Sequence, residues 1–113
     1  MDKQPLHESQ CLPFSEVKPL TEADASALHQ HLHTDWHIDD HTLGRTFRFS
    51  NYHETMAFAN AVAYIAHAQD HHPDMVVRYR ECRIDYTTHA VNALTRNDFI
   101  CAARIDRLSL ENH

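Results

Sequence analysis

The stretch that decides the fold runs from His67 to Asp98 and reads HAQDHHPDMVVRYRECRIDYTTHAVNALTRND. Near its start, Pro73 disfavours helical geometry at the residue before it. Two runs follow, residues 75–79 and 82–87, in which apolar and polar residues alternate. Alternation with a period of two predicts half-buried strands. We therefore predict that a helix ends just before His71 and that two strands then pair as a hairpin.

The register of this hairpin determines which histidines meet. If the turn lies at Arg80 and Glu81, His89 lies opposite His72, and three imidazoles, including that of His71, converge. An Arg-Glu turn lacks the Asn-Gly chemistry that two-residue hairpins favour, and a register one residue away would turn His89 to the opposite face. Histidines titrate near neutrality and can act as general acids or bases, so the cluster predicts chemistry. The alternative is a set of surface histidines.

The predicted elements outside this stretch complete an α+β fold. Two residue pairs have the spacing of helix capping boxes: Thr21 with Asp24, and Thr95 with Asp98. The elements are a helix over 21–33, strands over 36–39 and 45–49 separated by a break at Gly44, a helix over 51–70, and a last helix from Thr95 toward Leu110. The order α-β-β-α-β-β-α predicts a four-stranded antiparallel sheet with helices packed on one face.

The chain length predicts one domain. At 113 residues the chain is large enough to bury a single core and too short for two. Residues 1–18 contain Pro5 and Pro13 and have no apolar periodicity, so we predict a loosely ordered N-terminal arm. Residues 19–113 form the predicted domain.

Composition excludes several function classes. The formal charge is -6 and the ten basic residues are scattered, which argues against direct nucleic-acid binding. No apolar run approaches the roughly 18 residues of a membrane span, and the amino terminus has no signal-peptide core, so a cytoplasmic protein is expected. The three cysteines lack C-x-x-C spacing and are interpreted as reduced, structural thiols.

The histidine-rich stretch resembles the signature of the pterin-4a-carbinolamine dehydratases. In that family an ionisable residue is followed by His-His-Pro, an aromatic residue, a second histidine and an aspartate. The matching positions are His67, His71, His72, Pro73, Tyr79, His89 and Asp98. The similarity extends from Leu20 to Leu110 and includes Trp36 before the first strand. Many relatives have glycines at the positions of Asn92 and Ala93, and asparagine tolerates left-handed backbone geometry.

The resemblance implies a reaction, namely the removal of water from a 4a-hydroxytetrahydropterin to give the quinonoid dihydropterin. This step recycles the pterin cofactor of aromatic amino-acid hydroxylation. It implies that His71 and His89 act as general acids on the 4a-hydroxyl group and that His72 binds and orients the pterin. No metal or organic cofactor is expected. The expected partners are the pterin itself and further copies of the chain, in a dimer or tetramer, because exposed sheet edges favour pairing.

The other signature residues have supporting or substrate-binding roles by the same resemblance. Asp98 either steadies a histidine or the pterin ring, or is the third helical residue of a capping box. His67 is either an outer member of the site or a solvated helix residue. Pro73 releases the histidine pair from the helix, and Tyr79 is the signature aromatic residue.

Two other functions remain open at this point. One is a binding or regulatory module, since some animal relatives serve as dimerisation cofactors of a homeodomain transcription factor. The other is a metal site built from His71, His72 and His89. The remaining histidines considered are interpreted as solvated residues: His29, His33, His37, His41 and His53.

Overall fold

A computed structural model describes residues 4–108. After a short 3₁₀ helix (Leu6–Glu8), the elements are α1 (Glu22–His29), β1 (His37–Asp39), β2 (Thr42–Arg48), α2 (Tyr52–Gln69), β3 (Asp74–Val77), β4 (Glu81–Tyr86) and α3 (Arg96–Asp106). The strands form one antiparallel sheet in the order β1-β2-β4-β3. The α+β class and the element order are therefore confirmed. Leu110, the predicted end of the last helix, lies outside the described residues.

The core lies between the sheet and the helices, and strand alternation explains which side chains enter it. In β4 the even-numbered residues Cys82, Ile84 and Tyr86 are buried and the odd-numbered ones are partly exposed. Helix α2 begins at Asn51, whose side chain accepts a hydrogen bond from the Glu54 N–H, as expected for an N-cap. The largest fully buried apolar side chains are Trp36, Tyr86, Phe47, Phe58, Phe99, Leu43, Ile84, Ile100, Ile105 and Val62.

Helix α1 is shorter than predicted. It ends at His29, whereas the pattern predicted a helix to residue 33. The Leu32 N–H donates to the His29 carbonyl at 3.1 Å, which is a tighter turn than an α-helix makes. Leu32 is buried, although no residue within α1 is. The chain leaves the helix because this turn brings Leu32 onto the core.

Gly44 does not break the chain, as was predicted, but lies inside β2. The turn is at Asp40 and His41, because Asp39 pairs with Thr42 and Asp40 adopts a left-handed conformation with φ 59°. A Cβ at Gly44 would collide with the side chains of Arg83 and Asp85, which form an ion pair across it. Glycine fits this position because side chains of β4 approach its Cα closely.

The predicted register of the second hairpin is wrong by two residues. A turn at Arg80 and Glu81 would pair Tyr79 with Cys82, but Val77 pairs with Cys82. The turn lies one residue earlier than predicted, at Tyr79 and Arg80, and across it the Arg78 N–H donates to the Glu81 carbonyl at 2.8 Å. Arg-Glu does not favour the positive φ angles of a two-residue turn, so these two residues do not fix the turn at positions 80 and 81. A shift of two keeps each side chain on its predicted face.

Residues 4–18 of the N-terminal arm run along α3 and the end of α2. The Leu12 N–H donates to Asn97 Oδ1, and Asn97 Nδ2 donates to the Leu12 carbonyl, both at 2.9 Å. The Cys11 N–H donates to Gln69 Oε1 at 2.8 Å, and the Arg104 guanidinium donates to the Ser9 carbonyl. These bonds connect the arm to both helices. Over residues 4–108, no helix has the length and apolar character that a membrane span requires.

Candidate active site

His71 is placed by the end of α2. Asp70 takes a left-handed conformation with φ 52°, and the His71 N–H donates to the Ala66 carbonyl at 3.0 Å, as in common helix ends. This turn directs His71 back under the helix layer, where 2% of its surface is exposed. The prediction that the helix stops before His71 is confirmed. The side chain, however, lies inside the protein.

Asp98 is the polar partner of this buried imidazole. His71 Nε2 lies 2.6 Å from Asp98 Oδ1, and the Asp98 side chain is completely buried. The other carboxylate oxygen accepts the Thr95 N–H and the Thr88 hydroxyl, each at 2.9 Å. The capping box predicted for Thr95 and Asp98 is confirmed. One oxygen thus caps α3 and the other contacts the histidine, so the two alternatives for Asp98 are compatible.

Two aromatic rings enclose the His71 ring. Tyr86 stacks on it with ring centres 5.1 Å apart and an interplanar angle of 19°. The Tyr86 hydroxyl also donates to the His71 carbonyl at 3.1 Å. From the arm, Phe14 meets the same ring edge-on at 6.2 Å. Burial raises the pKa of Tyr86, so its hydroxyl stays protonated as this donor. Rotation of His71 is therefore restricted by both rings.

The charge of Asp98 determines the protonation of His71. Burial by itself lowers the pKa of an imidazole, because the charged form loses its hydration. Here the hydrogen bond and the negative charge of Asp98 outweigh burial, and the pKa of His71 is raised above 6.5. Asp98 therefore favours the cationic, proton-donating form of His71. This is the protonation state that general acid catalysis requires.

The raised pKa of His71 predicts a specific pH dependence of stability. Protonated His71 is favoured more in the folded than in the unfolded state, so its contribution is fully present below the unfolded pKa of about 6.5. The contribution is lost as pH rises through the folded pKa. We expect the free energy of unfolding lost in His71→Gln to be larger at about pH 5.5 than at about pH 8.5.

Urea unfolding of wild type and variant across that range measures this difference. His53→Gln, which changes an exposed helix histidine, is the matched control and should show a small difference that is independent of pH. A loss in His71→Gln that stays constant, or that grows with pH, would contradict the proposed charge state.

His72 and His89 are both exposed and are not paired as predicted. In the observed register, Asp74 pairs with Asp85, so continuing the ladder would place Thr87, not His89, opposite His72. His89 instead begins the turn that follows β4. Backbone hydrogen bonds between Thr88 and Ala93 close this turn. Asn92 closes this turn with φ 51°, the left-handed geometry predicted for it. His71 and the two exposed histidines are thus at the same end of the β3-β4 hairpin.

The remaining signature residues differ in position. His67 is exposed in the last turn of α2, and Pro73 is half-buried between His72 and β3. Tyr79 lies in the loop at the opposite end of β3, 62% exposed, where it stacks on Tyr52 with ring centres 6.0 Å apart. Within one chain, therefore, Tyr79 is not brought to His71.

Sequence reasoning did not identify several residues that surround His71. Tyr86 and Thr88 continue the even-numbered alternation of Cys82 and Ile84, so this alternation was a usable signal. Phe14 comes from an arm without periodicity, which provided no signal. Among residues 4–108, no group of three or more His, Cys, Asp or Glu side chains is arranged to hold a metal ion.

The fold and the site define a class of small α+β domain. Its site contains an enclosed imidazole in contact with a buried carboxylate, next to exposed histidines. A sequence model of the family described as "Pterin 4 alpha carbinolamine dehydratase" matches residues 18–108. The chain belongs to this family.

Relatives by sequence agree with this assignment, and solved structures share the fold. A protein named "Putative pterin-4-alpha-carbinolamine dehydratase" from Nitrosomonas eutropha is 49% identical, over 91% of this chain and 92% of the relative. A protein of the same name from Chromobacterium violaceum is 47% identical, over 91% of this chain and 94% of the relative. A crystal structure of a "transcriptional coactivator/pterin dehydratase" from Brucella melitensis has a TM-score of 0.75 at 24% identity, over 83% of this chain and 99% of that one. A "pterin dehydratase-like protein" described as a RuBisCO assembly factor has a TM-score of 0.53 at 24% identity, over 63% and 82%. These structures show that the fold is shared.

Proposed function

We propose that this protein removes water from a 4a-hydroxytetrahydropterin to give the quinonoid dihydropterin. In the cell the reaction would recycle the pterin cofactor of aromatic amino-acid hydroxylation. The observation that carries the proposal is the contact between His71 and Asp98 at 2.6 Å, which raises the pKa of a histidine in the family signature. The reaction needs such an acid and requires no metal or organic cofactor.

The chemistry assigns a role to each histidine. The imidazolium of His71 donates its proton to the departing 4a-hydroxyl group, which leaves as water while a ring nitrogen loses a proton. His89, on the exposed turn after β4, is the second acid–base group, and His72 binds and orients the pterin. A positioned acid or base contributes typically about 10²- to 10⁴-fold to a rate. Asp98 acts through His71 as a positioning residue.

Substrate access to His71 requires movement of the arm. The cleft beside Phe14, between the arm and the end of α2, has a volume of about 190 Å³ and is lined by Cys11, Leu12, Pro13, Phe14, Gln69 and Asp70. Sites for small molecules usually have at least ~300 Å³. Displacement of Phe14 from the His71 ring would enlarge the cleft and expose the acid. The pterin is therefore proposed to bind with the arm shifted.

Adding the purified protein to freshly generated 4a-hydroxytetrahydropterin tests the proposal. Formation of the quinonoid product, followed by absorbance, should accelerate in proportion to protein concentration. A rate equal to that in buffer, with protein shown to be folded by circular dichroism, would refute the dehydratase proposal. The same preparation, made without an affinity tag, should contain no stoichiometric metal by elemental analysis.

A homo-oligomer is proposed from the exposed edge of the sheet. Strand β3 is an edge strand whose Met75, Val76 and Val77 are all more than one-third exposed. Exposed apolar edges are paired or covered in most native proteins. We expect sedimentation analysis to find a dimer or tetramer, and Val76→Lys to shift it toward monomer. An unchanged distribution in this variant would place the interface elsewhere.

The alternative function is a binding or regulatory module without pterin turnover. It is favoured by the two fold relatives, one described as a coactivator and the other as an assembly factor. A folded protein that is inert in the dehydration assay and retains a specific protein partner in pull-down experiments would support the module. Turnover that depends on His71 would support the enzyme.

A further inference from the structure

Two thiols meet where the arm crosses α3. Cys11 Sγ lies 3.7 Å from Cys101 Sγ, and Cys11 Sγ also lies 3.7 Å from the Asn97 carbonyl oxygen. Cys101 is completely buried, whereas Cys11 is partly exposed. The remaining cysteine, Cys82, is buried in β4. The fold therefore brings together two of the three thiols, which are 90 residues apart in sequence.

The backbone on either side of Cys11 holds this contact. The Cys11 and Leu12 N–H groups donate to Gln69 and Asn97, and the Ser9 carbonyl accepts the Arg104 guanidinium. A disulfide requires a sulfur–sulfur distance of about 2.05 Å, so the two sulfurs must move closer together. Cys11 lies outside any helix or strand, and a small rearrangement of the arm can supply this movement.

We propose that Cys11 and Cys101 are a redox-active thiol pair that forms an intrachain disulfide on exposure to a peroxide and fastens the arm to α3. The proposal goes beyond the dehydratase function and does not depend on it. In a reducing compartment such a bond is expected to be reversible and to report oxidising conditions.

The chemistry balances with hydrogen peroxide as the two-electron oxidant. The partly exposed Cys11 sulfur attacks one peroxide oxygen and becomes a sulfenic acid, while the Cys11 thiol proton passes to the departing hydroxide, which leaves as water. The Cys101 sulfur then attacks the Cys11 sulfur, the S–S bond forms, and a second water leaves with the Cys101 proton. The sum is two thiols and one peroxide converted to one disulfide and two waters.

The electrostatic surroundings favour the second step. The hydrogen bond from Cys11 lowers the pKa of Cys101, and the nearby His71 cation contributes in the same direction. The pKa of Cys11 is raised because it shares its proton with Cys101 and is partly buried. By contrast, burial alone raises the pKa of Cys82 to about 11, so Cys82 should stay protonated.

The disulfide would also immobilise the ring that covers His71. Phe14 is three residues after Cys11 and contacts the His71 imidazole. A covalent bond at Cys11 therefore restrains the segment that holds Phe14 against the His71 ring. We expect amide hydrogen exchange in residues 9–16 to slow at least ~10-fold in the oxidised protein, because opening of the arm is suppressed.

Peptide mapping of the full chain after peroxide treatment tests the proposal. Trypsin combined with a protease that cuts after glutamate separates the three cysteines, because Glu8 and Glu16 flank Cys11 and arginines flank Cys101. The expected product is a cross-linked pair of peptides containing Cys11 and Cys101, lost on reduction, with Cys82 still open to alkylation after denaturation. The intact mass of the denatured chain should fall by two hydrogen atoms, with no disulfide-linked dimer formed.

Two variants serve as controls. Cys11→Ser, at a partly exposed position, should give no cross-link and no slowing of hydrogen exchange, whereas Cys82→Ala should behave as wild type. The proposal is overturned if both thiols remain open to alkylation, if Cys11 is oxidised to a sulfinic acid without a cross-link, or if the disulfide joins two chains. None of these measurements involves a pterin, so they remain informative if the dehydratase assay fails.

Discussion

His71→Gln should lower kcat/KM for dehydration of the 4a-hydroxytetrahydropterin by about 10²- to 10⁴-fold, the usual contribution of a positioned acid. Glutamine keeps an amide N–H that can reach Asp98 in place of Nε2–H, but it cannot donate a proton to the departing hydroxyl group. The substitution therefore removes the acid while retaining much of the buried contact. Steady-state kinetics on folded protein measure the effect.

The matched control for this experiment is His53→Gln, which should retain the wild-type rate. His89→Ala and His72→Ala should each slow turnover as well, through the second acid–base group and through substrate binding. A folded His71→Gln protein with unchanged kcat/KM would show that the buried imidazole is structural. Unchanged rates in all three variants would refute the histidine assignment.

Asp98→Ala should destabilise the fold by about 3–5 kcal/mol, the usual effect of removing one partner of a buried charge pair. The completely buried carboxylate joins three groups, the His71 ring, the Thr88 hydroxyl and the Thr95 N–H. Its removal leaves the His71 ring without its partner and the Thr95 N–H without its acceptor. Chemical unfolding of the variant measures the change in the free energy of unfolding.

Asp98→Asn separates the structural role of this residue from its electrostatic role. The amide oxygen can still accept the Thr95 N–H, and the amide nitrogen can face a neutral His71 ring, so most of the stability should remain. Without the negative charge, the pKa of His71 should fall because burial then dominates. The basic limb of the kcat/KM profile should move to lower pH. An unshifted profile would mean that His71 is not the titrating acid.

Helix ends and strand faces were predictable because they depend on neighbours in sequence. Pro73 restricts the residue before it, Asn51 caps α2, and Thr95 with Asp98 caps α3. The alternation through β4 identified Ile84 as a core residue. The bounds of α1 were less predictable, because Leu32 leaves the helix to reach a core that is built from distant segments.

The hairpin register and the placement of the signature residues depended on turn geometry. The turn lies one residue earlier than predicted, at Tyr79 and Arg80, which removed the expected pairing of His72 with His89. Tyr79 lies at the turn end of the hairpin, away from His71. The position of a turn is weakly encoded when the residues predicted to form it, here Arg80 and Glu81, have no strong preference for one turn type. The face of each strand was preserved because the shift was even.

By itself, the sequence determined the α+β order, the family resemblance and the capping role of Asp98, because each depends on residue identity and short spacing. Only the tertiary structure decided that His71 is buried against Asp98, enclosed by Tyr86 and Phe14, and next to a pair of thiols. Those contacts join α2, β4, α3 and the arm across long stretches of chain. Local propensity carries no information about such contacts, which form only when the elements pack around one core.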